Sequence, residues 1–569
     1  MRSSEFLPLP KSGRKPASGA VSIADTSPTS EIEITVRIRS RQPLSLAERL
    51  QRAGELGCRK IRDRENVKRE EYAHTYGADP ADIEAVRQFA KQYHLGEVGS
   101  SAGGRSLRFK GSVSNMNRAF GITLRNYKYP FGQYMGREGS LFLPADLIHI
   151  VQGVFGLDGR RQSKPFITKS LNASPSVSDN TIDTIMQNYA FPESLDGAGQ
   201  CIGILEFGGA LFDDDAAKYF QYRGKPKPDI SFKNAGAVYT PNIDLQADQE
   251  VALDVEVAGS LAPKAKIRVY SAPNTEKGWI DAVSAAIHDA VDEPSVIAIS
   301  WGSAEGLWEQ DKQDALTELF LDAVWFGVTV CIASGDDGWA IDSQGFATVN
   351  FPASHPLVLA CGGTQFCEQD EVVWNERGRG STGGGISDIM TRAFWQPSIT
   401  FPPPVPPKTH PTQDGRLLPD VAGLASCCYC IYVDCAFTTG IGGTSAVPPI
   451  WAALIARFNQ YLSDLSFPRL GFFLPLLYGS TRIQATFNDI TSGNNDPNGC
   501  QGYRSGQNWD ACTGWGSPNG NKLLIELLRA PSVRTAHLAV VTPESGQGSG
   551  DQQVPAAVSP VADYKQAGD

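Results

Sequence analysis

Apolar and polar residues alternate from Ile32 to Ile38: Ile32, Ile34, Val36 and Ile38 on one face, Glu33, Thr35 and Arg37 on the other. That period of two predicts a half-buried strand over 32–40. A short helix is expected at 46–56. Asp79-Pro80-Ala81-Asp82 supplies a cap, a proline at the first helical position and a first-turn acid, and Ile83, Val86, Ala90 and Tyr93 give the helix its apolar face. Strand-like pieces at 106–109 and 141–143 and a helical piece at 114–120 complete an α+β domain ending near residue 155. No recognisable catalytic set falls inside it. The polar, basic stretch Gly159-Arg160-Arg161-Gln162-Ser163-Lys164-Pro165 opens a linker reaching about residue 180.

The pattern changes at residue 200. Buried-type strands at 201–205, 267–270, 296–300 and 328–333 alternate with amphipathic helices at 279–291 and 311–326. Such alternation predicts a doubly wound parallel sheet, whose functional groups collect at the carboxyl ends of its strands. Further on, Thr438-Thr439-Gly440-Ile441-Gly442-Gly443-Thr444-Ser445 precedes a helix read from Ile450, Trp451, Leu454, Ile455 and Phe458. Thr444 and Ser445 stand where N-cap residues belong, and an exposed serine near a positive dipole end suits a nucleophile. Beyond Arg529 the chain turns Ser-, Gly-, Gln- and Pro-rich.

Composition narrows the classes. At 569 residues and 41% hydrophobic content the chain holds enough apolar material for a large core and two domains with tails. A net charge of −11 argues against nucleic acid or an anionic membrane surface as partner. No stretch approaches the ~20 apolar residues of a membrane span. The amino-terminal 30 residues lack the apolar run of a secretory signal, Phe6-Leu7-Pro8-Leu9 being short and proline-broken. Four of the 11 cysteines, Cys427, Cys428, Cys430 and Cys435, crowd one segment. Their spacing departs from the usual zinc pattern and points to disulfides or buried thiols.

A serine nucleophile needs a base. None of the seven histidines opens a Gly-framed helix: His288 lies on an amphipathic helix, and His355 and His410 precede prolines. Asp248-Gln249-Glu250-Val251-Ala252-Leu253-Asp254 offers an alternative. Glu250 and Asp254, four apart on a helix, share a face, and their repulsion raises at least one pKa, so that the pair can share a proton. Glu250 is the candidate base and Asp254 its orienting partner. The apolar residues around them predict a buried helix. A strand ending in Ser334-Gly335-Asp336-Asp337-Gly338 puts Asp336 at a carboxyl edge, where a protonated carboxyl could donate to an oxyanion.

Together Glu250-Val-Ala-Leu-Asp254, Ile299-Ser300-Trp301-Gly302, Ser334–Gly338 and Gly442-Gly443-Thr444-Ser445-Ala446-Val447 resemble the sedolisins, the serine-carboxyl peptidases, and within them the kumamolisin branch. The resemblance implies a subtilisin-like α/β fold, a doubly wound parallel sheet preceded by an α+β ferredoxin-like prodomain. It implies Ser445 as nucleophile, Glu250 as base, Asp254 as its partner and Asp336 as oxyanion stabiliser, with Glu206 and Trp301 extending the hydrogen-bond chain. The prodomain would be an intramolecular chaperone and inhibitor. The expected layout is a disordered tail over 1–31, a prodomain over 32–165, a peptidase domain over 166–529 and a disordered tail over 530–569. A secreted, monomeric protein acting on polypeptides is implied.

The same resemblance marks Phe487–Gly493 and Gly506–Asp510 as a loop for one structural calcium ion, bound by the side chains of Asp489 and Asp510 and the carbonyls of Ile490, Gly506 and Asn508. Two carboxylates and several carbonyls are the hard oxygen ligands calcium takes. Position 508 is Asn where the kumamolisin pattern has Gly. Cys500 and Cys512 flank the loop and could pair. Leu424-Ala425-Ser426-Cys427-Cys428-Tyr429-Cys430 stands where relatives run through Ala-Asp-Pro-x-Thr-Gly-Tyr, so borrowed specificity does not carry over. An acid-acting endopeptidase is the expected function; a tripeptide-releasing exopeptidase and an inert binding protein of the same fold are the alternatives.

Overall fold

The computed structural model describes residues 5–42, 44–130, 132–170, 180–339, 347–368, 370–397, 399, 414–499 and 502–533. His410, Cys500 and the carboxyl-terminal tail from 534 lie outside them. So do the linker residues 171–179, which include most of its expected end.

The amino-terminal domain is built on four antiparallel strands, β1 (Glu31–Ile38), β2 (Gly96–Ser101), β3 (Ser106–Ser112) and β4 (Val151–Phe155), in the order β2-β3-β1-β4. With helices Pro80–Gln92 and Val113–Phe120 in the two crossovers, this is ferredoxin-like topology. Asp79 caps the first of these helices, its side chain accepting from Ala81 N–H. Ile34, Val36 and Ile38 pack with Val86, Phe89, Leu107, Phe109, Met116 and Phe120 into a small core of their own. Residues 5–31 are not the expected disordered tail. Phe6–Pro8 pairs with Phe142–Pro144, and Val21–Asp25 with Arg125–Tyr129. These strands are too short to announce themselves by a period, and edge pairing through the backbone holds them.

The larger domain holds an eight-stranded sheet. Strands β5 (Cys201–Glu206), β6 (Ile230–Asn234), β7 (Lys266–Ser271), β8 (Val296–Ile299), β9 (Thr329–Ala333), β10 (Leu359–Cys367) and β11 (Asp370–Val373) run in the order β6-β7-β5-β8-β9-β10-β11, and β12 (Val421–Leu424) pairs with β10. All the pairings are parallel except β10–β11. Helix α1 (Leu245–Leu261) is buried along nearly its whole length and packs against α2 (Val447–Asp464), as its shortage of polar positions predicted.

The two domains meet on the face of β1 that carries Glu33, Thr35 and Arg37. Thr35 and Arg37 are buried there, although their alternation marks that face as polar. Thr35 Oγ1 donates to Asp281 at 2.8 Å, and Lys277 Nζ reaches Glu33 at 2.9 Å. Two buried ion clusters flank this seam. Arg14 bonds Glu276 at 2.8 Å and Asp311 at 2.9 Å. Arg105 bonds Glu318 and Asp322, each at 3.2 Å, while Arg49 also holds Glu318, and Tyr72 and His288 also hold Asp322. His288, on its amphipathic helix, is therefore half-buried at the domain seam.

Candidate active site

Strand Ala436–Gly442 leads into one tight turn, Thr444–Ala446, and then into α2. Neither Thr444 nor Ser445 caps that helix, contrary to expectation. Thr444 instead faces Asp336: its N–H and its hydroxyl donate to Asp336 Oδ1 at 2.8 and 2.7 Å, and its Oγ1 accepts from Gly335 N–H at 3.1 Å. Ser445 is fully buried rather than exposed. What covers it is the linker.

Lys164–Pro165 pairs antiparallel with Gly302–Trp301, and Thr168–Lys169 pairs antiparallel with Gly442–Ile441. Between these short strands Phe166 N–H donates to Ser300 O at 3.0 Å, and Phe166 O accepts from Ser445 N–H at 3.1 Å. The Phe166 ring fills a slot where Cβ atoms at Gly302 and Gly335 would lie 2.9 and 3.5 Å from it. Gly443 has φ +112°, and a Cβ there would fall 2.2 Å from Phe166 O and 2.6 Å from Asp336 Oδ2. Only glycine leaves that space open, so the Phe166 carbonyl oxygen and the Asp336 carboxyl can share it.

The carboxyls predicted from spacing converge behind Ser445. Glu250 and Asp254 project from α1, and both are fully buried. Ser445 Oγ donates to Ser300 O at 3.3 Å, and both Glu250 oxygens lie beside it with no hydrogen-bond partner. Burial, with the charges of Asp254 and Glu206, holds the Glu250 carboxyl well above its ordinary range, while the adjacent Ser445 hydroxyl pulls the other way. Asp254 is likewise raised by burial against a hydrogen bond from Ser300 Oγ, which lies 2.8 and 3.0 Å from its two oxygens. Glu206 takes the Trp301 indole N–H at 2.9 Å and is raised by burial and by Asp254. Burial pushes Asp336 up to about 7 against the bonds from Thr444. The set therefore combines a hydroxyl, a buried group of mutually repelling carboxyls with raised pKa values, and a further raised carboxyl, Asp336, beside a carbonyl oxygen.

All six residues expected here do come together. Four contributors escaped sequence reasoning: Ser300 as the hydroxyl that ties Asp254 to the Ser445 backbone, Thr444 as the donor to Asp336, Gly443 as the open space, and Phe166 as the occupant. No histidine among the described residues has a part. His288 bonds Asp322, and His355 sits buried against Thr317.

In the expected calcium loop, Asp489 Oδ2 accepts from Asn508 N–H at 2.8 Å and Asp510 Oδ2 from Gly506 N–H at 3.2 Å. Asn508 holds φ +65°, a left-handed conformation that asparagine tolerates as a substitute for glycine. Burial raises both carboxyls, Asp510 to about 7, and no cationic side chain offsets it among the described residues. Nearby, Cys512 is a free, buried thiol bonded to Tyr503 O, and its expected partner Cys500 lies outside the described residues. In the Cys427–Cys435 segment Cys430 is buried, Cys427 half-buried and Cys428 and Cys435 exposed, with no three metal-binding side chains grouped among the described residues.

Comparison with known proteins gives the family. Residues 18–160 match the model of the pro-kumamolisin activation domain, and residues 235–463 that of the subtilase family. Kumamolisin from Bacillus sp. (strain MN-32) is 39% identical over 542 residues, covering 91% of this chain and 96% of the relative. This chain belongs to the sedolisin family. Tripeptidyl-peptidase sed5 of Aspergillus fumigatus is 26% identical across 92% of this chain and 98% of its own. Among solved structures, a Pseudomonas sedolisin, a serine-carboxyl proteinase complexed with pseudo-iodotyrostatin, aligns with a TM-score of 0.50 and 26% identity, covering 61% of this chain and 97% of that one. The chain is thus a sedolisin-family serine peptidase carrying its activation domain.

Proposed function

We propose that this protein is an acid-acting serine-carboxyl endopeptidase made as a zymogen, and that it cuts its own linker at Phe166–Ile167. The observation that carries this is the seating of the Phe166 carbonyl on Ser445 N–H, with backbone pairing on both sides. Ser445 Oγ would attack the Phe166 carbonyl carbon as its proton passes to Glu250, oriented by Asp254. The carbonyl electron pair would move to the oxygen, held by Ser445 N–H and a protonated Asp336. Breaking the C–N bond would then pass the proton to the Ile167 amine, and water would release the acyl group by the same steps reversed. Glu206 and Trp301 position the carboxyl chain from behind.

An endopeptidase is favoured over a tripeptide-releasing enzyme because the linker is bonded from Gln162 through to Ser170, continuing past three residues on the amino-terminal side of the bond. An inert binding protein fits poorly with a complete set of buried, raised carboxyls, which costs stability without serving the fold. The prodomain acts as inhibitor in this reading, its linker occupying the cleft in cis. One calcium ion fits the Asp489, Ile490, Gly506, Asn508 and Asp510 set, since a cation would ionise two raised carboxyls, the buried Asp510 and the more exposed Asp489. It would tie the loop to the sheet. We place the working enzyme outside the cell, as a monomer, on polypeptide substrates. Incubation at about pH 4, where carboxyl groups titrate, followed by amino-terminal sequencing, tests the reading: a mature chain beginning at Ile167 is expected, and an unprocessed chain would refute it.

A further inference from the structure

On the amino-terminal side of Phe166 the linker is not held by backbone pairing alone. The Ser163 hydroxyl donates to Asn274 Oδ1 at 2.9 Å and accepts from the Trp279 indole N–H at 3.1 Å. Ser163 is buried and Trp279 wholly so. Asn274 also takes Ser163 N–H on Oδ1 at 3.0 Å and gives Nδ2–H to Ser163 O at 2.8 Å. Those two bonds would form with any residue at this position. The indole N–H is different, because only a side-chain acceptor can meet it. Its ring cannot turn away: Trp279 stacks on Phe207 at 4.0 Å and meets Trp308 edge-on at 5.1 Å. The Trp308 N–H is already committed to Ser303 Oγ, which in turn donates to Gln162 O.

We propose that Asn274 and Trp279 form a hydroxyl-reading subsite, which selects substrates with a serine three residues before the residue whose carbonyl is attacked. The proposal rests on the peptidase reading above and adds its sequence preference. Alanine at that place would leave a buried N–H without its acceptor, and a branched apolar residue would press on a ring with no freedom to move. Sites built around a substrate hydroxyl discriminate against its absence far more than apolar pockets discriminate by size. The neighbouring contact, Lys164 Nζ to Asp337 at 2.6 Å, is about half exposed on both sides and reads charge only weakly.

The test uses acid-matured enzyme and two internally quenched peptides, Gln-Ser-Lys-Pro-Phe-Ile-Thr and the same peptide with Ala for Ser. Wild type is expected to favour the serine peptide by about tenfold or more in kcat/KM. Trp279→Phe keeps the stacked ring and removes the N–H, so the Ser/Ala ratio should fall towards one. Asn274→Ala should instead weaken both peptides through their shared backbone contacts. A parallel titration with Gln-Ser-Lys-Pro-Phe and Gln-Ala-Lys-Pro-Phe, which have no scissile bond left, measures the subsite without chemistry. Selective binding without turnover would support the subsite and count against the peptidase reading. Equal binding of the two, or a Ser/Ala ratio unchanged in Trp279→Phe, would overturn the subsite.

Discussion

Two groups of buried acids in this molecule have opposite chemistry. At the domain seam, burial opposes the ionisation of Asp322, yet Arg105, His288 and Tyr72 outweigh it and bring the carboxyl down to about 2. Glu309, between Lys312, Arg14 and Arg160, also falls to about 2 against its burial. Asp311, which shares Arg14 with Glu276, and Asp281, beside Lys277, are exceptions and are raised by burial. Around Ser445 burial prevails, and Glu206, Glu250, Asp254 and Asp336 are all pushed up; the half-exposed Lys164 draws Asp336 down too weakly to reverse it. Burial thus leaves fixed charge where cations and hydrogen-bond donors outweigh it, as at Asp322 and Glu309, and movable protons where they do not. The first arrangement holds two domains together; the second suits catalysis.

The hardest test of the contrast is Ser445→Ala. If the raised carboxyls serve a nucleophile, cleavage should drop on the order of 10⁶-fold, as for loss of a serine acting in a concerted set. The chain should stay full length in acid, with the seam intact. Persistent processing of a folded Ser445→Ala protein would detach the carboxyls from Ser445.

Asp336 gives the next largest effect. Its proton is present below about pH 7 and lost above, so activity should fall as pH rises through that value, whereas a histidine base would gain there. Asp336→Ala should lower kcat by about 10²–10³-fold, the usual worth of one oxyanion donor. Asp336→Asn should lose less and show a flatter alkaline limb. A wild-type pH–rate profile that climbs between pH 7 and 8 would reverse the assignment.

The seam should behave in the opposite way. Asp322 has a depressed folded pKa, so its contribution is fully present above the unfolded carboxyl range and disappears only as pH falls through about 2. Acid at pH 4 therefore starts the cleavage chemistry while Asp322 keeps its charge. Arg105→Met leaves Glu318 and Asp322 buried beside no Arg105 charge and should destabilise the zymogen by about 3–5 kcal/mol. Thermal melting and limited proteolysis of the prodomain would show it; an unchanged melt would mean the cluster contributes nothing to docking.

Calcium should have the smallest effect. Chelation and Asp489→Ala should each lower Tm by a few degrees and together no further, since a metal bound only to the folded state acts by mass action. Additive losses would put the ion elsewhere.

Much of the site was legible because its signals are local. Glu250 and Asp254 share a face through helical spacing alone, and Asp336 follows a strand that any apolar run would reveal. Ser300 and Thr444 were not legible, since a hydroxyl's partner depends on which distant strand or turn it meets. The amino-terminal 5–31 segment escaped for a related reason: its strands are held by backbone pairing to residues more than 100 positions away, and leave no side-chain period.

By itself the sequence determined two cores, four of the eight strands of the larger sheet and which side chains could carry acid chemistry, because burial periodicity and residue type act within a few turns of chain. The tertiary structure decided what those faces meet. Thr35 and Arg37 look solvated along β1 and are buried because a second domain docks on them. Ser445 looks exposed at a glycine-framed turn and is covered because residues 164–169 cross the cleft from a domain nearly 300 positions earlier. Periodicity records that a face is polar or apolar; docking alone determines whether water or another part of the chain covers it.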